Sequence, residues 1–167
     1  MAASEILGQR MVIGIGGLQV ASGMVGCIVT HALGSCIGVA VWDAHARVGG
    51  MLHAQMPISL KSPDLARSDP GRFVDLGVPL LFQQAEQAGA NRRRLRITVA
   101  GAANMSGATS PMFDIGQQNL TALRKVLWKL GLLIAAEETG SNIPRTMYLD
   151  LVSGATTVQS GANRRNL

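Results

Sequence analysis

The sequence predicts a single α+β domain, and three observations carry that prediction. Short β-branched or apolar runs alternate with glycine-containing turns through the first third of the chain. Later stretches instead repeat their apolar residues every three or four positions. Of the 167 residues 47% are apolar and only 15% charged, with 20 glycines and few aromatics, which suits a well-buried aliphatic and Met core rather than disorder. A chain of this length is expected to fold as one domain, residues 1–167, burying roughly two thirds of its unfolded surface.

The runs at 11–15, 26–30, 37–42 and 48–55 read as strands. The pattern then breaks into Pro, Ser, Asp and Arg, and Asp69 before Pro70 resembles an N-cap and first helical position, so a helix is expected to begin there. Val74, Val78, Leu81, Ala85 and Ala88 mark its apolar face, Pro79 is a candidate kink, and Gly89 stands where a left-handed C-cap is needed. Residues 95–100 read as a strand and 101–113 as a small-residue loop. Asp114 three residues before Gln117 forms a variant capping box, after which Leu120, Leu123, Leu127 and Leu130 line one helical face that ends at Gly131. Residues 132–138, 146–151 and 156–159 read as closing strands, and 161–167, lacking an apolar pattern, as a frayed tail. No internal repeat or heptad run argues for a solenoid or coiled coil.

The first ten residues contain Glu5 and no apolar run, unlike a secretory signal, and the longest apolar stretch, 130–136, is too short to span a bilayer. A cytoplasmic protein without membrane insertion is expected. Cys27 and Cys36 could form at most one bridge, which is no disulfide framework, so free thiols are expected. The net charge of +5 comes from 12 Arg and 3 Lys, with Arg92, Arg93, Arg94 and Arg96 clustered. No aromatics are interleaved with these arginines and no recognition motif accompanies them, so a solvated corner is favoured over a nucleic-acid site, with protein docking second.

The segment 30–57, THALGSCIGVAVWDAHARVGGMLHAQMP, holds the chemistry-bearing residues. Cys36 follows the turn residues Gly34 and Ser35 and opens an apolar strand, where a thiol can be held rigidly and still reach the surface. If a four-residue loop, 44–47, joins the flanking strands, Asp43 opposes Val48 and His53 opposes Gly38. Cys36 and His53 then share one face as diagonal neighbours about 7 to 8 Å apart at the backbone. An imidazole there can supply thiolate at neutral pH and protonate a leaving amine. The Thr30 hydroxyl could accept from the imidazole N–H and fix its tautomer. Backbone N–H groups around Ser35 and Cys36, with Gly34 in the same turn, are candidate oxyanion or substrate-positioning donors. Taken alone, one Cys and one His at this spacing favour packing over catalysis.

Thr30, Leu33-Gly34-Ser35-Cys36, Asp43, Gly49-Gly50, His53 and Pro57 closely resemble the signature of the CheD family, the chemoreceptor glutamine deamidases. Phe73 with Leu80-Leu81 is similar to the family's middle helix, and Ile115-Gly116 with Asn119 to the start of its later one. The resemblance implies a layered α/β/β sandwich of mixed sheets with two main helices. It makes Cys36 the nucleophile, His53 the general base and acid, and Thr30 the orienting hydroxyl. The implied reaction is attack on a glutamine amide, loss of ammonia to give a thioester, and hydrolysis to glutamate, with no metal or organic cofactor. Implied substrates are glutamines on the cytoplasmic helices of chemoreceptors, and the implied partner is a chemotaxis phosphatase of the CheC type. The chain departs from the family pattern at Ala100-Gly101-Ala102 and near Gly140, where Ser141 and Pro144 replace glycines; these positions bear on recognition more than on chemistry.

Other residues take blander readings. His31 and His45 are read as solvated turn residues. Cys27, His31, Cys36, His45 and His53 lack the spacing of a zinc site. Gly14, Gly16 and Gly17 form a strand-end turn rather than a phosphate loop, since no further glycine or Lys-Ser/Thr follows in place. Ser106, Thr109 and Ser110 make turns or line a pocket. Two rival functions stand beside the deamidase: a docking module of the same fold that binds a phosphatase or receptor without turnover, and a glutamine deamidase acting outside chemotaxis.

Overall fold

The computed structural model describes residues 8–167; the reading of the first residues as unlike a secretory signal falls mostly outside them. The strands are Gln9–Ile13 (β1), Leu18–Ser22 (β2), Gly26–Leu33 (β3), Ile37–Asp43 (β4), Val48–Ala54 (β5), Arg96–Gly101 (β6), Ala136–Thr139 (β7), Arg145–Asp150 (β8), Thr156–Ser160 (β9) and Asn163–Asn166 (β10). Three α-helices, Pro63–Ser68 (α1), Val74–Gln87 (α2) and Ile115–Leu130 (α3), complete the chain, and only α2 and α3 are long.

The strands form two mixed five-stranded sheets, in the orders β1-β3-β8-β9-β10 and β2-β5-β4-β6-β7. Alternation along β4 explains how the layers assemble, because successive side chains point to opposite faces. Ile37, Val39 and Val41 join Val74, Val78, Leu81, Phe82, Leu123 and Leu127 of α2 and α3 in one core. Cys36, Ala40 and Trp42 turn the other way, into a second core with Leu33, Met147, Leu149 and Val158 of the opposite sheet. The result is the expected α/β/β sandwich, with helices on one face of the second sheet and the first sheet on the other.

The expected caps of α3 are present. The Asp114 side chain accepts from the Gln117 N–H, and Gly131 closes the helix at φ +67. The hairpin is also as the spacing requires: Asp43 pairs with Val48, Gly38 with His53 and Ile37 with Ala54. Asp43 fixes its loop by accepting from the N–H groups of His45 and Ala46 and from Arg94. Burial alone would raise the Asp43 carboxyl, but Arg94 and the N–H groups of Asn91 and Ala46 hold it well below the carboxylate range. Arg92 pairs with Glu86, so two of the four clustered arginines are spent on internal ion pairs.

Several boundaries differ from the sequence reading. Strand β2 was not anticipated, being a five-residue, mostly half-buried edge strand without strict alternation. At Pro70 only a 3-10 turn, Pro70–Arg72, begins, and α2 starts at Val74; the Asp69 carboxylate binds Arg72 instead of capping. The run 132–138 yields a strand only from Ala136, since Leu133 projects into solvent before β7 pairs parallel with β6. The tail 161–167 is not frayed: β10 pairs antiparallel with β9, and the Leu167 carbonyl accepts from Arg96. Backbone pairing at a sheet edge needs no apolar pattern, which is why the sequence did not show it.

Candidate active site

The site lies where the two sheets meet at the open end of the β4–β5 hairpin. Strand β3 carries Thr30, then loses register with β8 between Thr30 and Leu33, with Ala32 at φ +57. This irregularity ends β3 and turns the chain through Gly34 and Ser35 into Cys36. His53, on β5, faces the same inter-sheet layer as Cys36, and Gly38 opposite it contributes no side chain.

The histidine is held on all sides. Its backbone N–H donates to the Gly17 carbonyl at 3.0 Å, and its carbonyl accepts from the Gly16 N–H at 2.8 Å, so the turn between β1 and β2 grips it. Its Nδ1 lies 2.7 Å from the Thr30 hydroxyl. That hydroxyl donates its one hydrogen to the Ile13 carbonyl at 2.9 Å, so toward the imidazole it can only accept. The proton of a neutral His53 therefore sits on Nδ1, and Nε2 presents a lone pair. Nε2 is buried and has no hydrogen-bond partner among the described residues. Burial lowers the His53 pKa from 6.5 to about 4, so the ring is neutral at pH 7.

Cys36 is 8% exposed, and both cysteines are free. Burial pushes the Cys36 thiol above its ordinary pKa, with its own backbone N–H and the Arg72 guanidinium pulling the other way. The Cys36 carbonyl accepts from the Ala102 N–H at 2.8 Å, and the Gly34 carbonyl from the Ala103 N–H at 2.8 Å, so residues 101–103 splint the turn that leads into Cys36. Gly101 is indispensable to this contact: its φ is +102 and an added Cβ would lie 2.4 Å from the Cys36 carbonyl oxygen. The Gly34 N–H is engaged with the Ala32 carbonyl, whereas among the described residues the Ser35 N–H has no protein acceptor and the Cys36 N–H none beyond its own thiol.

Two contributors escaped the sequence reading of the site. Asn119 is buried on α3, and its amide donates to the Ser35 carbonyl at 2.9 Å and the Gln55 carbonyl at 3.0 Å, tying the Cys36 turn to the end of β5. Its place with Ile115-Gly116 in the motif at the start of the later helix, and a polar side chain beside Leu120 and Leu123 on an otherwise apolar face, were signals of the position but not of its reach to Ser35 and Gln55. Arg72 carried none, because its approach depends on how the 3-10 turn docks. Of the remaining candidates, His31 is exposed beside Thr146, and His45 sits in the hairpin loop. Cys27 lies on β3, paired with Arg10 and Asp150 of neighbouring strands. Ser106, Thr109 and Ser110 lie in the exposed loop before α3; Ser110 caps the 3-10 turn Pro111–Phe113. Among the described residues no three His, Cys, Asp or Glu side chains converge as metal ligands would, and no helix is long and apolar enough to cross a membrane.

Residues 55–160 match the family model described as CheD chemotactic sensory transduction. That match starts two residues after His53, so the segment holding Thr30, Cys36 and His53 is covered by whole-chain relatives instead. A protein of Solibacter usitatus named a probable chemoreceptor glutamine deamidase CheD is 40% identical over 159 residues, 95% of this chain and 94% of its own length. Similarly named proteins of Syntrophus aciditrophicus and Anaeromyxobacter dehalogenans are 40% identical over 90% of this chain and 42% identical over 89%, each covered over 93% of its length. With near full-length relatives at this identity and a family match over more than half its residues, the chain belongs to the CheD family.

Proposed function

We propose that the chain deamidates glutamine side chains on chemoreceptors, at their cytoplasmic helices, using Cys36, His53 and Thr30. The observation that carries this reading is the Ile13–Thr30–His53 relay, which leaves a buried, unpartnered Nε2 lone pair in the layer where Cys36 lies. The names of the relatives, probable chemoreceptor glutamine deamidases, support the substrate class.

Burial favours the neutral forms of both groups, so the resting pair is a thiol and an imidazole rather than an ion pair. Nε2 takes the thiol proton as sulfur bonds to the amide carbon, and the carbonyl π electrons move to oxygen. The N–H groups of Ser35 and Cys36 are the donors for that oxyanion, Gly34 serving only to shape the turn. As the tetrahedral adduct collapses, the imidazolium returns its proton to nitrogen, the C–N bond breaks, and ammonia leaves a thioester. His53 then deprotonates a water that attacks the thioester, giving glutamate and the free thiol. Thr30 accepts from Nδ1–H throughout, holding the ring in its working tautomer. No step calls for a metal or organic cofactor.

Exposed Met105 lies against Gly34, and Met56 follows Gln55, giving the site an apolar rim suited to a helical protein substrate. The test measures ammonia release and amide-to-acid mass gain on receptor cytoplasmic fragments with wild type, Cys36→Ala and His53→Ala. Release that vanishes in both variants supports the reading. Binding without release by wild type would overturn it in favour of a docking module for a receptor or a CheC-type phosphatase.

A further inference from the structure

The β4–β5 ladder ends at Ile37 opposite Ala54, so the next residues, Cys36 and Gln55, face each other at its open end. Asn119 confirms their proximity, since one amide group reaches both the Ser35 and Gln55 carbonyls. Gln55 is also where the 3-10 turn Pro70–Arg72 docks: the N–H groups of Gln55 and Met56 both donate to the Arg72 carbonyl, at 2.8 and 3.0 Å. The Arg72 side chain folds back onto the same residue, Nη1 donating to the Gln55 Oε1 at 2.7 Å, while Nε donates to Asp69 at 3.0 Å. The Asp69 carboxylate is seated over Gly16, where an added Cβ would lie 2.5 Å from its oxygen, so Gly16 at φ +78 leaves room for the clamp. Gly16 also donates to the His53 carbonyl, so one turn supports both the histidine and the clamp that aims the arginine.

We infer that Arg72, clamped between Gln55 and Asp69, is the cation that stabilises the Cys36 thiolate when His53 removes its proton. This role rests on the deamidase reading above and adds a residue to it. The charged or titratable groups around Cys36 are few. β5 brings His53, and the 3-10 turn brings Arg72 with its partner Asp69. α3 brings the uncharged Asn119, and the segment 101–105 brings no charge. Among the described residues Arg72, docked on Gln55 opposite Cys36, is the one charged side chain whose field favours the Cys36 thiolate. Asp69 tempers that charge, and the half-buried position of Arg72 limits screening by water.

The test is the pH dependence of Cys36 alkylation by neutral iodoacetamide, in a Cys27→Ser background so that one thiol reports. Arg72→Met is expected to raise the pH midpoint by about half a unit to one unit, slowing alkylation at neutral pH roughly three- to tenfold. Arg72→Lys is expected to restore most of the shift, because charge and not the guanidinium fork acts on sulfur. Gln55→Leu, which releases one side of the clamp, is expected to fall between. An unchanged profile in folded Arg72→Met overturns the inference, and if that variant does not fold, an unchanged profile in Gln55→Leu does so. The deamidase reading is judged separately by ammonia release: a shifted profile in a protein that releases none would keep the role at the thiol and remove the reaction.

Discussion

The two faces of the sheet β2-β5-β4-β6-β7 draw on the same strands and are built to different ends. Toward the helices, Ile37, Val39, Val41, Leu52, Val74, Val78, Leu81, Phe82 and Leu123 make an apolar core, with the buried Asn119 amide on α3 spent on the Ser35 and Gln55 carbonyls. Toward the opposite sheet, Cys36, Ala40, Trp42 and Met51 share their layer with buried His53 and Thr30. The period of two along a strand lets a single hairpin carry an apolar core on one side and the candidate site on the other. A polar pair buried between two sheets is costly unless its hydrogen bonds are met. Here they are met on the Thr30 side and left open at Nε2, the atom the proposed reaction needs.

The comparison breaks most sharply if a helix-side truncation harms chemistry directly. Phe82→Ala is expected to lower stability by about 3–5 kcal/mol by emptying a fully buried site. Ammonia release per folded molecule at low temperature should stay near wild type, as a denaturation curve paired with a rate assay will show. On the other face the signs reverse. Thr30→Val is expected to cut turnover about 10- to 100-fold by freeing the His53 tautomer, with the Ile13 carbonyl also losing its donor. A turnover unchanged in this variant would put Thr30 among the packing residues.

The pH dependence of stability sharpens the contrast further. The His53 pKa falls from 6.5 to about 4 on folding, so below 6.5 the unfolded chain takes up a proton that the folded chain refuses. The stability contributed by a neutral ring is therefore complete above 6.5 and is lost as pH falls toward about 4. After allowance for solvent screening the loss is on the order of 2 kcal/mol. Asp43 and Glu138, both held below their ordinary values of 3.8 and 4.5, lose their contributions at lower pH, which leaves the upper part of the window to His53. Denaturant titrations of wild type and His53→Gln should converge as pH falls through it; parallel curves would mean that the ring is not buried neutral. The smallest effect is expected at Cys27→Ser, where turnover should change less than about twofold, since Cys27 sits on β3 away from the relay. Equal losses at Cys27 and Cys36 would point to a shared disulfide or metal.

The local signals in this chain were strong where one element sufficed to express them. The hairpin register follows from a four-residue loop between two apolar runs, and that register alone puts Cys36 and His53 on one face. Asp114, Gln117 and Gly131 marked the ends of α3 because capping is a matter of neighbouring residues. The motif from Thr30 to Pro57 was enough to indicate the family.

Contacts between elements distant in the chain were beyond that reach. Thr30 meets His53 only because β3 packs across β5, and its donor role toward Ile13 depends on β1 lying parallel beside β3. Asn119 reaches Ser35 and Gln55 from a helix more than sixty positions away, and Arg72 reaches Gln55 through a docked turn. The edge strand β10 forms because β9 offers unpaired backbone groups, whatever side chains the tail carries. The sequence by itself determined the fold class, the hairpin and the candidate nucleophile and base, since periodicity, loop length and motif are local. Only the tertiary structure decided the tautomer of His53, the burial of Cys36 and His53 and the clamp on Arg72, because each arises from packing between residues that chain order does not bring together.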